Sequence, residues 1–181
     1  MIRTRITIVA AALALTGCAT ATQSPIEPRV TTPAQVQALI PGAYDDNNIF
    51  AKIIRGEASA AKVYEDAEVV AFMDIAPVER GHVLVISKTS KARNLLEIDL
   101  ADLDKIMAVA RRVGQAQMKG LGANGFSIEQ NNAYGQTVFH LHVHVIPRYR
   151  GQPWGEKGGP RQTVEQLTPD AERIKAQIPV N

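Results

Sequence analysis

Phe139-His140-Leu141-His142-Val143-His144-Val145 alternates imidazole and apolar side chains with a period of two. Successive side chains of a β-strand point to opposite faces, so the pattern places three imidazoles along one face, ~7 Å apart, with Leu141, Val143 and Val145 on the other. The fourth and last histidine of the chain, His82, follows Gly81 at the head of the apolar run Val83-Leu84-Val85-Ile86. Imidazoles so clustered suit two chemistries. They can ligate a transition metal, as three-histidine zinc sites do. Alternatively, one ring attacks a phosphorus while the others hold phosphate oxygens, since neutral imidazole is a good nucleophile near its pKa of about 6.5. The neighbours favour phosphate: Gly135-Gln136-Thr137 supplies a flexible backbone and side-chain donors, and no acidic residue lies between Asn131 and Pro153 to complete a metal site.

Working outward, Val138 to Ile146 reads as a strand joined to a partner strand, Gly125 to Gln130, by the polar loop Asn131 to Gln136. Val83 to Ile86 reads as a buried strand, and Lys62 to Glu65 with Val69 to Met73 as a hairpin across Asp66-Ala67-Glu68. Ile49 to Ile54 spans one or two helical turns before Gly56. From Asp99, an N-cap residue, Leu103, Ile106, Met107, Ala110, Val113 and Leu121 recur at helical spacing until Gly122. Thr168-Pro169-Asp170 reads as the start of a terminal helix that ends before Pro179. About five strands with one long inserted helix and a C-terminal helix make an α+β class with an antiparallel sheet. Asp74, closing the Val69 to Met73 strand, can accept two ribose hydroxyls or serve only as a turn residue.

The 181 residues are 45% hydrophobic and 21% charged, which excludes a wholly disordered or fibrous chain. Arg3 and Arg5 precede the apolar run Ile6 to Leu15, the build of a secretory signal and too short to span a bilayer. Leu15-Thr16-Gly17-Cys18 follows and resembles the lipobox of bacterial lipoproteins, in which the cysteine is lipidated after cleavage before it. Cys18 is the sole cysteine, so no internal disulfide forms. Removing Arg3 and Arg5 cancels the net charge of +2, and nucleic acid loses its support as a partner. The expected organisation is a signal peptide at 1–17, lipidated Cys18 and a Pro-broken tether at 18–45, a core domain at 46–150, and a C-terminal loop and helix at 151–181. The tether could hold a short helix after Thr32-Pro33. Ala19 in place of Asp resembles lipoproteins sorted to the outer membrane of Gram-negative bacteria, facing the periplasm.

His140-Leu141-His142-Val143-His144-Val145-Ile146, preceded by Gly135-Gln136-Thr137-Val138, resembles the signature of the histidine triad (HIT) family of nucleotide hydrolases and transferases. The resemblance continues through Ile49 to Ile54, Val63 to Asp66, Ala71 to Pro77, Gly81 to Ile86 and Ala92 to Leu96, and covers about Asn47 to Arg150. It implies a HIT-like fold, no cofactor and a homodimer. It makes His142 the nucleophile at the α-phosphorus, His140 and His144 its flanking stabilisers, and His82 a support from a neighbouring strand. Gln136, Thr137 and Asn131, with Asn132 as rival, match phosphate and leaving-group contacts. Asp74 matches the ribose carboxylate, Phe72 and Ile75 the base pocket, and Trp154 a leaving-group residue. Substrates would be nucleoside phosphoramidates, aminoacyl adenylates or dinucleoside polyphosphates. Many bacterial relatives bind structural zinc through cysteines at the positions of Asn48 and Ala51 and a histidine after the third strand. Lys88-Thr89-Ser90-Lys91 holds none, so no structural zinc is expected. The rival expectation is a non-catalytic nucleotide- or metal-binding lipoprotein that retains the pocket.

Overall fold

Alternation along the central strands decides which face each residue covers. The computed structural model describes residue 40, residues 42–155 and residues 158–179, so the expected signal, Cys18 and the helix after Thr32-Pro33 lie outside the described residues. Five strands, β1 (Lys62–Glu65), β2 (Val69–Met73), β3 (Val83–Ser87), β4 (Gly125–Glu129) and β5 (His142–Arg148), form one sheet in the order β1-β2-β3-β5-β4. Every neighbouring pair is antiparallel. Among the described residues three helices accompany them: α1 (Ile49–Ile54), α2 (Leu100–Leu121) and α3 (Val164–Lys175).

Val69, Ala71, Met73, Val83, Val85, Val143 and Val145 face α2 and α3, where they pack on Ile106, Ala110, Val113, Leu167 and Ile174. The alternate residues Val70, Phe72, Leu84 and Ile86 face the other way and pack on Phe50 and Ile53 of α1. Both faces of β2 and β3 are therefore buried, which explains why these strands read as unbroken apolar runs. The long helix starts and stops as its caps dictate: the Asp99 side chain accepts from Ala101 N, and Gly122 closes the helix in the left-handed conformation at φ 73°. Met107 turns outward, whereas Gln117 is fully buried and donates to the carbonyls of Gly81 and Val145, both at 2.9 Å.

Some element boundaries differ from the sequence reading. The final strand begins at His142 rather than Val138. The β3 ladder ends where Ile86 meets His142, and Leu141 N instead donates to Ala92 O at 2.8 Å. The terminal helix begins at Val164, before Thr168, and carries Pro169 inside it. Thr163 and Gln166 form a capping box that nucleates this earlier start, outweighing the backbone donor Pro169 lacks. Residues before the expected domain start also pack. Ile40 is buried, and the buried Arg93 guanidinium donates to the carbonyls of Ile40 and Gly42 at 2.7 and 2.8 Å.

Candidate active site

His142 and His144 project from β5 into a cavity of about 570 Å³ on the α1 side of the sheet. Ile49, Phe50, Ile53, Phe72, Ile75 and Leu84 line its apolar end. Asp74, His82, Asn131, Gly135 and Thr137 line it beside the two imidazoles. The ring of His142 lies 5.0 Å from that of Phe50, edge to face, and 4.9 Å from that of His144.

Backbone groups assign the ring protons. Val78 N donates to His82 Nδ1 at 3.1 Å, so the His82 proton is on Nε2. That Nε2 meets His144 Nδ1 at 3.0 Å, so His144 accepts there and carries its own proton on Nε2, directed at Asn131 3.3 Å away. The Asn131 amide can offer its oxygen to that N–H by rotating half a turn. The second chain runs through a carbonyl. His142 Nδ1 lies 2.8 Å from His140 O, which can only accept, and the Nε2 of His142 keeps its lone pair.

Burial keeps all four rings neutral. Desolvation pulls His82 down to about 4 although the Asp74 carboxylate, 3.5 Å away, pushes it up. It likewise takes His140 to about 4 and His144 to about 3, and lowers His142 against the opposing bond to His140 O. A neutral imidazole with a free Nε2, as at His142, has the chemistry to act as a nucleophile, and the His144 Nε2–H is a donor two residues along the same face.

Comparison with known proteins identifies the family. The HIT domain family model matches residues 55–151, more than half of the chain. The chain belongs to the histidine triad family. The protein named hit from Bacillus subtilis is 42% identical over 115 residues, 61% of this chain and 77% of that protein. A crystal structure of a HIT-like protein from Bartonella henselae, described as involved in cell-cycle regulation, superposes with a TM-score of 0.70 at 42% identity, covering 75% of this chain and 99% of that one. A plant relative, adenylylsulfatase HINT3 of Arabidopsis thaliana, is 35% identical over 102 residues, 55% of this chain and 51% of that protein.

Within this histidine triad domain the expected residues separate into two groups. His142, His144, His82, Asp74, Phe72, Ile75, Asn131 and Thr137 come together on the cavity. Asn131 rather than Asn132 faces it, because Asn132 Oδ1 accepts from Leu95 N at 3.0 Å. Asp74 Oδ1 accepts from Ala76 N at 2.9 Å, which orients the carboxylate. Three residues fall elsewhere. His140 precedes β5, and its ring lines a separate cleft of about 140 Å³ beside Tyr44. Its ring does not line the cavity that His142 and His144 enter, and among the described residues the convergent ligand group is Asp74, His82 and His144 rather than the three triad histidines. Gln136 is buried and braces its loop by donating to Arg93 O at 2.5 Å and Val138 O at 3.0 Å. Trp154 is 71% exposed and stacks on the Arg148 guanidinium, 4.6 Å from the ring centroid, outside the cavity lining. Asn48, at a position expected to lack zinc chemistry, caps α1 by accepting from Phe50 N and Ala51 N.

The sequence reading missed Arg161, which lines the cavity. Gly159 N donates to Pro77 O at 2.9 Å and Gln162 N to Ile75 O at 2.7 Å, which holds this segment across the Asp74 loop. Gly158 permits the close pass, since a Cβ there would stand 2.4 Å from Ala76 O. No spacing rule in the sequence signals a contact made by a loop so far from the triad.

Proposed function

We propose that the protein is a nucleotide hydrolase or nucleotidyl transferase that works through a covalent nucleotidyl-histidine at His142. The observation that carries this reading is the bond from His142 Nδ1–H to His140 O, which leaves the Nε2 lone pair free in the cavity. In the first step Nε2 attacks the α-phosphorus, the bond from phosphorus to the leaving group breaks, and the leaving group departs with that electron pair. Positive charge then grows on the His142 ring, and the His140 carbonyl accepting from Nδ1–H offsets it. His144 Nε2–H, Asn131 and Thr137 surround the place where phosphate oxygens gain charge. In the second step water attacks phosphorus, the bond to Nε2 breaks with its electron pair returning to the ring, and a nucleoside monophosphate leaves. Two in-line displacements retain configuration at phosphorus. Asp74 suits the ribose hydroxyls, and Phe72, Ile75 and the other apolar residues suit the base. The substrate classes are nucleoside phosphoramidates, aminoacyl adenylates and dinucleoside polyphosphates. Replacing His142→Ala is expected to abolish hydrolysis of all three in a panel assay with the unfolding midpoint preserved; turnover at the wild-type rate would contradict the mechanism.

A second reading, non-catalytic metal or nucleotide binding, is favoured by one observation. Asp74, His82 and His144 bring their donor atoms within 4.8 Å of one another. Metal there must displace the Val78 N–H from His82 or break the His82–His144 bond. Stoichiometric metal by elemental analysis, with no turnover, would establish this reading instead.

We infer further that Cys18 anchors the domain by lipid to the periplasmic face of the outer membrane. The lipobox resemblance supports this, and several acyl chains suffice for stable anchoring. Homodimerisation is part of the same proposal: β4 is a sheet edge, and Ile128 on it is 40% exposed.

A further inference from the structure

The back of the triad is joined to the segment that precedes the domain. Tyr44 OH lies 2.5 Å from His140 Nδ1, and the other ring nitrogen, His140 Nε2, lies 3.1 Å from Ser87 O. A carbonyl only accepts, so Nε2 carries the proton, Nδ1 is bare, and the phenol is the donor. The His140 ring is thus held at both nitrogens, and its own backbone carbonyl holds His142 Nδ1–H at 2.8 Å. Tyr44 is itself seated, because the Arg93 guanidinium grips the carbonyls of Ile40 and Gly42 just before it and pairs with Glu97. The aromatic ring meets His140 at 5.6 Å between centroids and lies 5.7 Å from Lys91 Nζ.

We propose that Tyr44 is a positioning residue for the nucleophile: its hydroxyl donates to His140 Nδ1, fixes the ring and tautomer of His140, and thereby sets the carbonyl that orients His142. The proposal rests on the reading of His142 as nucleophile. Its consequence is that the chain just before the domain forms part of the catalytic support. Without the phenol, Nδ1 is a buried acceptor with no donor, and the ring is free to turn or exchange tautomer, which moves the carbonyl that His142 leans on. A sub-ångström displacement of a nucleophile is enough to slow an in-line attack.

The test uses the full chain with ¹⁵N in the histidine rings. Tyr44→Phe keeps the ring packing and removes only the donor. We expect the His140 Nδ1 resonance to shift, kcat to fall about tenfold, and KM to stay within about twofold. The unfolding midpoint should stay near that of the wild type. Tyr44→Ala, which also removes the packing, controls for a structural role. If Tyr44→Phe matches wild type in kcat, with or without a shifted Nδ1, while Tyr44→Ala alone is impaired, Tyr44 only packs and the proposal is overturned. His142→Ala, assayed alongside, keeps the two claims apart. Turnover surviving there sinks the covalent mechanism but leaves the Tyr44-dependent Nδ1 shift standing as a structural contact. Loss of turnover there with an unaffected Tyr44→Phe enzyme sinks the Tyr44 proposal alone.

Discussion

His140 and His144 stand two residues either side of His142, yet they end in different places. His144 lies on β5, faces the cavity, and directs its Nε2–H toward Asn131. His140 precedes the strand and faces a separate cleft, with one ring nitrogen on Ser87 O and the other beside Tyr44. The difference lies in the ladder. β3 pairs with β5 only as far as Ile86 and His142, and beyond that point the backbone follows Ala92 instead. One imidazole therefore faces the cavity with its ring, and the other reaches His142 through its backbone carbonyl.

Removing each ring separates these roles. In the proposed mechanism His144→Ala deletes a cavity-facing donor available to phosphate oxygens, and it should lower kcat by about a hundredfold or more in a steady-state assay. His140→Ala leaves the carbonyl in place, so kcat should fall by about tenfold, with a lower unfolding midpoint because Tyr44 and Ser87 lose their partner. Equal losses of kcat in the two variants would erase the distinction.

The rings share a pH signature that sharpens the comparison. Each is neutral in the folded protein well below its unfolded value, with His140 and His82 near 4 and His144 near 3. Between about 6.5 and 4 the unfolded chain binds more protons, so stability falls as pH drops through that window. The unfolding midpoint should be level above pH 6.5 and decline below it. His140→Ala removes one titrating ring and makes the decline shallower; a midpoint that rises on acidification to pH 5 would contradict the burial account.

The smallest effect is expected at Trp154. Its ring stacks on Arg148 outside the cavity, so Trp154→Ala should leave kcat/KM within about twofold in the substrate panel. A tenfold change would show that the ring reaches the leaving group during turnover.

Much of this arrangement was legible beforehand. The two-residue alternation of Leu141, Val143 and Val145 against the imidazoles set the strand and its faces, and Asp99 with Gly122 set the long helix, because both signals are local. Asp74 and Thr137 were candidates from the residues alone and Asn131 through the family resemblance, and the cavity brings them together. The placements of His140, Gln136 and Arg161 were not legible for one reason: their positions depend on partners distant in sequence. His140 is placed by Ser87 and Tyr44, Gln136 by the carbonyl of Arg93, and the segment carrying Arg161 by the bonds of Gly159 N and Gln162 N to the carbonyls of Pro77 and Ile75. Periodicity carries no information about such contacts. Thr163 with Gln166 was a local signal overlooked in favour of Pro169, although a capping box outweighs one missing backbone donor.

The central claim is a covalent bond at His142 Nε2. Mixing the full chain with a dinucleoside polyphosphate, quenching within milliseconds in alkali to preserve the acid-labile P–N bond, and analysing the peptides by mass spectrometry tests it directly. The account predicts one nucleotidyl group on the peptide containing His142, absent from the His142→Ala variant; rapid turnover with no adduct, or an adduct on another residue, would contradict it.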